Sequence, residues 1–230
     1  MIDLAVFDMA GTTIDDHGHV YAALQESVEE TGATVAPADL QHWMGTDKVA
    51  AITALMERGG QVPTPETVAA AFDRFRAILA ARYEADAPVA LPGVEAAIAD
   101  LRGRGIKVAL TTGFDDDVAY PLLESLGWVV GSGEGSMVDA VVTTSDVAAG
   151  RPAPYMIHRA MERTGVLDVS RVLAAGDTVV DVQAATNAGA ISVGVLTGKL
   201  GREVLSATPH SYILGGVADV PNLPEAQPAR

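Results

Sequence analysis

Polar side chains follow four short apolar segments of the chain, at the point where each segment ends. Asp8 ends the first segment, Thr112 follows the second, Arg151 lies in the loop after the third, and Asp177 and Asp181 come after the fourth. Short apolar runs are typical of buried parallel strands, and ligands of an open α/β sheet bind outside the carboxyl ends of its strands. We therefore expect these side chains to meet at one edge of a sheet.

This combination of residue types predicts phosphoryl transfer. Asp8 is a candidate nucleophile, but its charge would repel a phosphate or phosphonate unless a cation lies beside it. Asp177 and Asp181 offer the oxygen ligands that a hard cation such as Mg²⁺ prefers. Thr112 and neighbouring N–H groups could hold the phosphoryl oxygens, and Arg151 could neutralise the charge that develops on them.

Each residue taken alone has an ordinary structural alternative. An Asp after a strand is often only a turn former, which applies to Asp8. A lone Arg such as Arg151 is more often a solvated surface charge. Asp181 could simply begin a helix, where a carboxylate is favoured by the helix dipole. Four polar clusters after four apolar segments favour a site over these separate explanations.

The elements that must position these residues alternate as in a doubly wound parallel sheet. The patterns predict helices at 94–104, 116–126, 154–164 and 181–188, and strands at 107–110, 140–143, 172–175 and 191–195. Residues 211–214 are a candidate last strand, and we expect the Pro- and Ala-rich tail after Pro221 to be frayed.

A second block of the chain, residues 20–85, lacks strand patterning. Helical spacing is present at 20–31, 38–43, 48–58 and 65–85. The polar stretch 14–19 suits a flexible hinge out of the first strand, and Pro88 with 91–93 suits a hinge back. The sequence thus predicts a core of residues 1–14 and 90–230 and an inserted all-helical domain of residues 15–89.

Composition excludes several classes of function. The chain of 230 residues carries a net charge of −15 with a pI near 4.5, which argues against binding nucleic acid or an anionic membrane. It has no cysteine, so thiolate nucleophiles and cysteine-bound metals are excluded. No signal-like segment or apolar span of about twenty residues is present, and we predict a cytoplasmic protein with a small-molecule substrate.

The four clusters also resemble the motifs of a known family. Phe-Asp-Met-Ala-Gly-Thr-Thr at 7–13, Thr-Thr-Gly at 111–113, the segment 146–154 and Gly-Asp-Thr-Val-Val-Asp at 176–181 are similar, in that order, to the four motifs of the haloacid dehalogenase superfamily. More narrowly, the chain resembles the phosphonatase group, the phosphonoacetaldehyde hydrolases. The resemblance covers nearly the whole chain and implies a Rossmann-like core with a helical cap inserted after the first strand.

The resemblance assigns roles to individual residues. It implies Mg²⁺ bound by Asp8, the carbonyl of Ala10 and Asp177, while Asp181 is a further candidate ligand because of its residue type. Asp8 is then the nucleophile, with Thr112 and Arg151 as catalytic partners. The residues that it implies contact the substrate are Gly11, Thr12, Gly113 and Phe114 in the core and Met44 and Gly45 in the cap.

Ala10 and Lys48 decide which reaction the resemblance implies. Phosphatases of the superfamily carry an Asp two residues after the nucleophile as general acid and base, and Ala10 cannot transfer a proton. The phosphonatases resemble this chain in having Ala there, and they use a cap lysine that forms an imine (Schiff base) with the substrate aldehyde. Lys48 lies in Met-Gly-Thr-Asp-Lys at 44–48, which is similar to their Met-Gly-x-x-Lys loop.

Two other positions depart from the phosphonatases. Ala51 stands where they place a His, and Phe114 replaces their Tyr. Three functions therefore stay open: cleavage of a C–P bond, hydrolysis of a small phosphate ester with Lys48 as a mere substrate contact, and a non-catalytic binding module. The family also suggests a homodimer through the cap, and the cap residues Ala69, Phe72 and Phe75 fit either a dimer face or a core face.

Overall fold

The computed structural model describes residues 1–227, and the contacts within it divide the chain into two compact units. The first unit comprises residues 1–15 and 89–230, and the second comprises residues 16–88. No helix of the described chain is long and apolar enough to cross a membrane.

Eight strands are present in the described residues. They are β1 (Leu4–Asp8), β2 (Ile14–Asp15), β3 (Val89–Ala90), β4 (Lys107–Thr111), β5 (Ala140–Val142), β6 (Val172–Gly176), β7 (Ile191–Val195) and β8 (Tyr212–Leu214). Six of them form one sheet in the order β5-β4-β1-β6-β7-β8, and every pair in it is parallel. A second sheet consists only of β2 and β3, which are antiparallel.

Nine α-helices accompany the strands in the described chain. The second unit contains α1 (His19–Glu29), α2 (Pro37–His42), α3 (Lys48–Arg58) and α4 (Pro65–Ala85), and the first contains α5 (Val94–Gly103), α6 (Asp116–Ser125), α7 (Tyr155–Thr164), α8 (Val179–Ala188) and α9 (Arg202–Ser206). A six-stranded parallel sheet flanked by helices confirms the predicted α/β fold class, including strand β8.

One core layer of the first unit lies where α7 and α8 cover the sheet. Residues of β1 and β6, among them Leu4 and Val172, pack in one buried cluster with Met156 of α7 and Ala185 of α8. The small side chains of α8 allow this helix to approach the sheet closely, because Ala presents only a methyl group. The packing fixes the loops that precede α7 and α8, and these loops carry Arg151 and Asp177.

Two local predictions were wrong. Residues 14–15, assigned to a flexible hinge, form β2 and pair with β3, so that the outgoing and returning chain segments are hydrogen-bonded to each other. The tail after Pro221 is packed as far as it is described. Leu223 and Ala226 are buried, and the Ile2 N–H donates to the Glu225 carbonyl at 2.8 Å. The end of the predicted frayed tail, residues 228–230, lies outside the described residues.

The second unit is built around its longest helix, α4, which contacts α1 and α3. Thr64 caps this helix, since its side chain accepts from the Thr67 N–H and the Thr67 hydroxyl accepts from the Thr64 N–H. Phe75 is completely buried, whereas Phe72, whose ring stacks on it with centroids 6.1 Å apart, is partly exposed. Phe75 is therefore a core residue, and the homodimer stays a prediction.

We expect Phe75→Ala to destabilise the protein by about 3–5 kcal/mol, because it removes a buried ring and leaves a cavity. Phe72→Ala is the matched control on the same helix and should cost clearly less, since its ring is partly in water already. Urea unfolding followed by circular dichroism measures both. Equal losses, or a loss for Phe75→Ala that depends on protein concentration, would place Phe75 at an interface and not in the core.

Candidate active site

The candidate site lies at the carboxyl ends of the central strands β4, β1 and β6. Asp8 is the last residue of β1 and is paired in register with Thr111, the last residue of β4. Phe7 is paired with Ala175 of β6, so Asp177 follows that strand close to Asp8. The parallel register therefore brings residues far apart in sequence to one edge of the sheet.

Arg151 is shared between two buried carboxylates. Its Nη1 atom donates to Oδ1 of Asp8 at 2.6 Å and also to Oδ1 of Asp181. The three side chains are between 4% and 8% exposed, so Arg151 is not a solvated surface charge. The Nε atom of Arg151 is buried as well, and no hydrogen-bond partner for it lies within the described residues. A buried donor of this kind is available to an anionic ligand or a water.

Asp181 combines a helix cap with a contact to Arg151. One carboxylate oxygen, Oδ2, accepts from the N–H of Thr178 at 3.0 Å, which is one half of the capping box at the start of α8, and it also accepts from the Thr178 hydroxyl. The other oxygen, Oδ1, accepts from Arg151. Asp181 therefore both caps α8 and lies in the candidate site.

Asp177 is enclosed by backbone and by one hydroxyl. The Thr12 hydroxyl donates to its Oδ1 at 2.9 Å. Gly11 and Gly198 pack against the same carboxylate so closely that a Cβ atom on either would overlap it. Gly11 also has φ +87°, a conformation that side chains disfavour. The pKa of Asp177 is raised to about 7, first by burial and next by the charge of Asp8. The hydrogen bond from Thr12 and the charge of Arg151 lower this pKa but do not cancel the increase.

The three carboxylates fit a divalent cation. Asp8, Asp177 and Asp181 each offer an oxygen, and these oxygens lie within 4.8 Å of one another. One guanidinium can neutralise only one of these three charges. After burial, the charge of Asp8 is the next cause of the raised pKa of Asp177. Hard oxygen donors in a buried acidic cluster are the chemistry that Mg²⁺ selects. The residues could therefore hold Mg²⁺, with the carbonyl of Ala10 in the adjacent turn as the ligand implied by the family resemblance.

The turn after Asp8 and the residues after β4 complete this edge. The Thr13 hydroxyl donates to the Asp8 carbonyl at 2.9 Å and so stabilises the turn. Thr112 is buried, and its hydroxyl accepts from the N–H of Phe114 at 3.2 Å across Gly113. The Phe114 ring is also buried.

Residues that the sequence analysis did not single out also contact this edge. The Thr197 hydroxyl donates to the Gly11 carbonyl at 2.7 Å, and the next residue is the Gly198 that packs on Asp177. No motif marks either position. Thr178 could have been found, because Thr followed three residues later by Asp is a capping-box signature.

The second unit groups three of the predicted site residues in one loop. Met44 and Lys48 are buried, and Gly45 between them has φ +75°. The Nζ atom of Lys48 donates to the Thr46 carbonyl at 2.8 Å, and Asp47 caps α3 by accepting from the Ala50 N–H at 2.8 Å. The loop and the cap thereby fix Lys48 as the first residue of α3.

The raised pKa of Asp177 predicts a pH dependence of stability. Between pH 3.8 and about 7 the folded protein keeps a proton on Asp177 that an unfolded chain releases, so without divalent cations stability should fall as pH rises through this range. We expect Asp177→Asn, which keeps an acceptor for Thr12 without the charge, to reduce the fall in melting temperature between pH 5 and 8 in EDTA. Added Mg²⁺ should reduce it for the wild type. If the melting temperature falls equally with pH for the two proteins in EDTA, Asp177 is not the group that causes the fall.

Comparisons with known proteins identify the family of this chain. A family model described as haloacid dehalogenase-like hydrolase matches residues 2–189. Phosphonoacetaldehyde hydrolase of Bacillus thuringiensis strain Al Hakam is 32% identical over 213 residues, which cover 86% of this chain and 76% of that protein.

Solved structures share the fold at lower identity. A phosphonoacetaldehyde hydrolase-like protein from Oleispira antarctica superposes with a TM-score of 0.82 at 23% identity, covering 96% of this chain and 90% of its own. The β-phosphoglucomutase of Clostridium difficile superposes with a TM-score of 0.80 at 18% identity, covering 96% and 93%. With a family model matched over most of its length and relatives of this identity, the chain belongs to the haloacid dehalogenase-like hydrolases and is related in sequence to their phosphonoacetaldehyde hydrolases.

Proposed function

We propose that this protein is a Mg²⁺-dependent hydrolase that cleaves the C–P bond of a small phosphonate, converting phosphonoacetaldehyde and water to acetaldehyde and phosphate. The observation that carries the proposal is Ala10. A candidate nucleophile in a buried acidic cluster has, two residues later, a methyl group that cannot protonate a leaving oxygen. The relative from Bacillus thuringiensis supports the substrate, since it is named a phosphonoacetaldehyde hydrolase.

Asp8 is the nucleophile in this proposal. A carboxylate oxygen attacks phosphorus, the P–C bond breaks with its electron pair going to carbon, and an aspartyl phosphate remains on Asp8. Arg151, bound to Asp8 at 2.6 Å, lies where it can neutralise charge on the phosphoryl oxygens, and Thr112 is assigned to hold one of them. Mg²⁺ bound by Asp8, the Ala10 carbonyl and Asp177 would offset the repulsion between Asp8 and the phosphonate. Water then hydrolyses the aspartyl phosphate to phosphate.

Lys48 supplies the electron sink that a carbon leaving group requires. Its amine condenses with the substrate aldehyde and releases water, giving a protonated imine. The electron pair of the breaking P–C bond then forms an enamine, and protonation at carbon followed by hydrolysis returns acetaldehyde and the free amine. Lys48 is suited to this step because its side chain is buried and its amine is held at the start of α3 by the hydrogen bond to the Thr46 carbonyl.

Hydrolysis of a small phosphate ester is the second candidate. The Clostridium difficile protein, a phosphoglucomutase by name, shares the fold, so the fold alone does not select a C–P bond. The absence of a His at Ala51 favours this candidate, since it removes a proton carrier of the phosphonatases. In this case Lys48 only contacts the substrate through its charge. A non-catalytic binding module is not favoured for a chain that belongs to a hydrolase family.

We expect Lys48→Arg to lower phosphate release from phosphonoacetaldehyde by roughly a thousandfold or more, because arginine keeps the charge but cannot form the imine. The matched control is Lys107→Arg at the start of β4, where the lysine pairs with Asp139 at 3.4 Å and is 44% exposed. The control should keep wild-type turnover. Borohydride with substrate should add a mass to wild-type protein at Lys48 and none to the Lys48→Arg variant.

Comparison with a panel of phosphate monoesters under the same conditions separates the two candidates. Phosphate release from the phosphonate alone supports C–P cleavage. Full activity of Lys48→Arg on the phosphonate would overturn the imine step. Release from esters alone, with a mild effect of Lys48→Arg, would assign the chain to phosphate ester hydrolysis.

A further inference from the structure

The loop after β7 lies against the candidate metal site. Gly194 of β7 is paired in register with Gly176 of β6, so the chain that leaves β7 passes beside Asp177. The loop is anchored by apolar contacts, because Leu196 and Leu200 both pack in a cluster with Val182 and Leu205. Because the residues on both sides are held, residues 197–199 form a short loop across the carboxyl edge of the sheet.

Thr197 is oriented by its neighbours toward the turn after Asp8. Its hydroxyl donates to the Gly11 carbonyl at 2.7 Å. Its methyl group lies so close to the backbone of Gly216 that a Cβ atom there would be 3.0 Å from it. The contact on the methyl side and the hydrogen bond on the hydroxyl side together fix the side-chain rotamer. A side chain held in this way can restrain the carbonyl that it binds.

The next residue, Gly198, contacts the other half of the same cluster. A Cβ atom at this position would overlap the Asp177 carboxylate, so only a glycine allows the loop to lie here. Two consecutive residues therefore contact the two parts of the chain that must be held in register: Thr197 contacts the turn after Asp8, and Gly198 contacts the carboxylate after β6.

Gly11 is held by hydrogen bonds on both of its peptides: its N–H donates to the Ile14 carbonyl at 2.8 Å, and its carbonyl accepts from Thr197. Gly11 has φ +87°, and it is joined to Ala10, whose carbonyl is the ligand assigned in the proposed Mg²⁺ site. Rotation about the Gly11 backbone would turn the Ala10–Gly11 peptide and move that carbonyl. We propose that Thr197 is a positioning residue for the metal site, which holds the turn after Asp8 through the Gly11 carbonyl. This inference rests on the Mg²⁺ dependence in the proposed function.

The test is Mg²⁺ binding to the full chain, measured by titration calorimetry without substrate. Thr197→Val keeps the shape and removes the hydroxyl, and we expect it to raise the Mg²⁺ dissociation constant by roughly tenfold, as is usual when a partner of a metal ligand is lost. Thr197→Ser keeps the hydroxyl and should bind Mg²⁺ within about twofold of wild type.

Thr164→Val is the matched control. Thr164 is the last residue of α7 and is partly buried, as Thr197 is. Its hydroxyl donates to the Ala160 carbonyl at 2.8 Å. Arg151 precedes the first residue of the same helix. This variant should bind Mg²⁺ as wild type does, although it loses a hydrogen bond of the same kind. In phosphate release assays, Thr197→Val should need more Mg²⁺ for half-maximal rate and approach the wild-type rate at saturating Mg²⁺.

Each outcome of the binding experiment decides the inference. Equal Mg²⁺ affinity in Thr197→Val and wild type, or equal weakening in Thr164→Val, would overturn the role of Thr197 and leave the proposed reaction intact. Failure of the wild type to bind Mg²⁺ would overturn the metal site together with this inference. If the variants behave as expected but the wild type does not cleave phosphonoacetaldehyde, the C–P proposal fails while the assignment of Thr197 stands.

Discussion

The candidate site depends on a buried guanidinium placed between two carboxylates. Arg151 donates to both Asp8 and Asp181, and none of these side chains is more than 8% exposed. Buried charges are unfavourable unless they are paired, and removing one partner of such a group typically costs about 3–5 kcal/mol. The loop that carries Arg151, the end of β1 and the first turn of α8 are therefore tied to one another. With Asp177 also present, the cluster keeps an excess of negative charge that suits a divalent cation.

Several elements each contribute one constraint to this cluster. The parallel register of β1 with β4 and β6 sets the positions of Asp8 and Asp177. The capping box of α8 uses one oxygen of Asp181 and leaves the other for Arg151, so the start of a helix also orients a charged side chain. The loop after β7 contributes the Thr197 hydroxyl, which binds the turn after Asp8, and Gly198, which packs on the Asp177 carboxylate. Preorganisation of this kind lowers the reorganisation needed when charge develops on a substrate.

The sequence predicted the parts of this arrangement that local patterns encode. Apolar runs ending at Asp8 and before Asp177, and helical spacing between them, predict a parallel sheet with carboxylates at one edge, and the structure brings these residues together. Their catalytic roles stay predictions. Thr197 could not be found in this way, because its partner Gly11 is 186 residues away and the contact depends on register and packing. The pairing of β2 with β3 was missed for a similar reason, since two-residue strands have no periodicity to read.

Ala10 has an electrostatic consequence besides its chemical one. Burial and the charge of Asp8 already raise the pKa of Asp177. An Asp at position 10 would add a further acidic group to the turn next to Asp8 and would need compensation by position or by protonation. With Ala10, the proton transfers and the electron sink that the reaction needs must come from elsewhere, and in our proposal Lys48 supplies the sink. Under that proposal, the methyl group at position 10 and the buried lysine at position 48 act together for a carbon leaving group, because such a group needs stabilisation of an electron pair more than it needs a nearby proton donor.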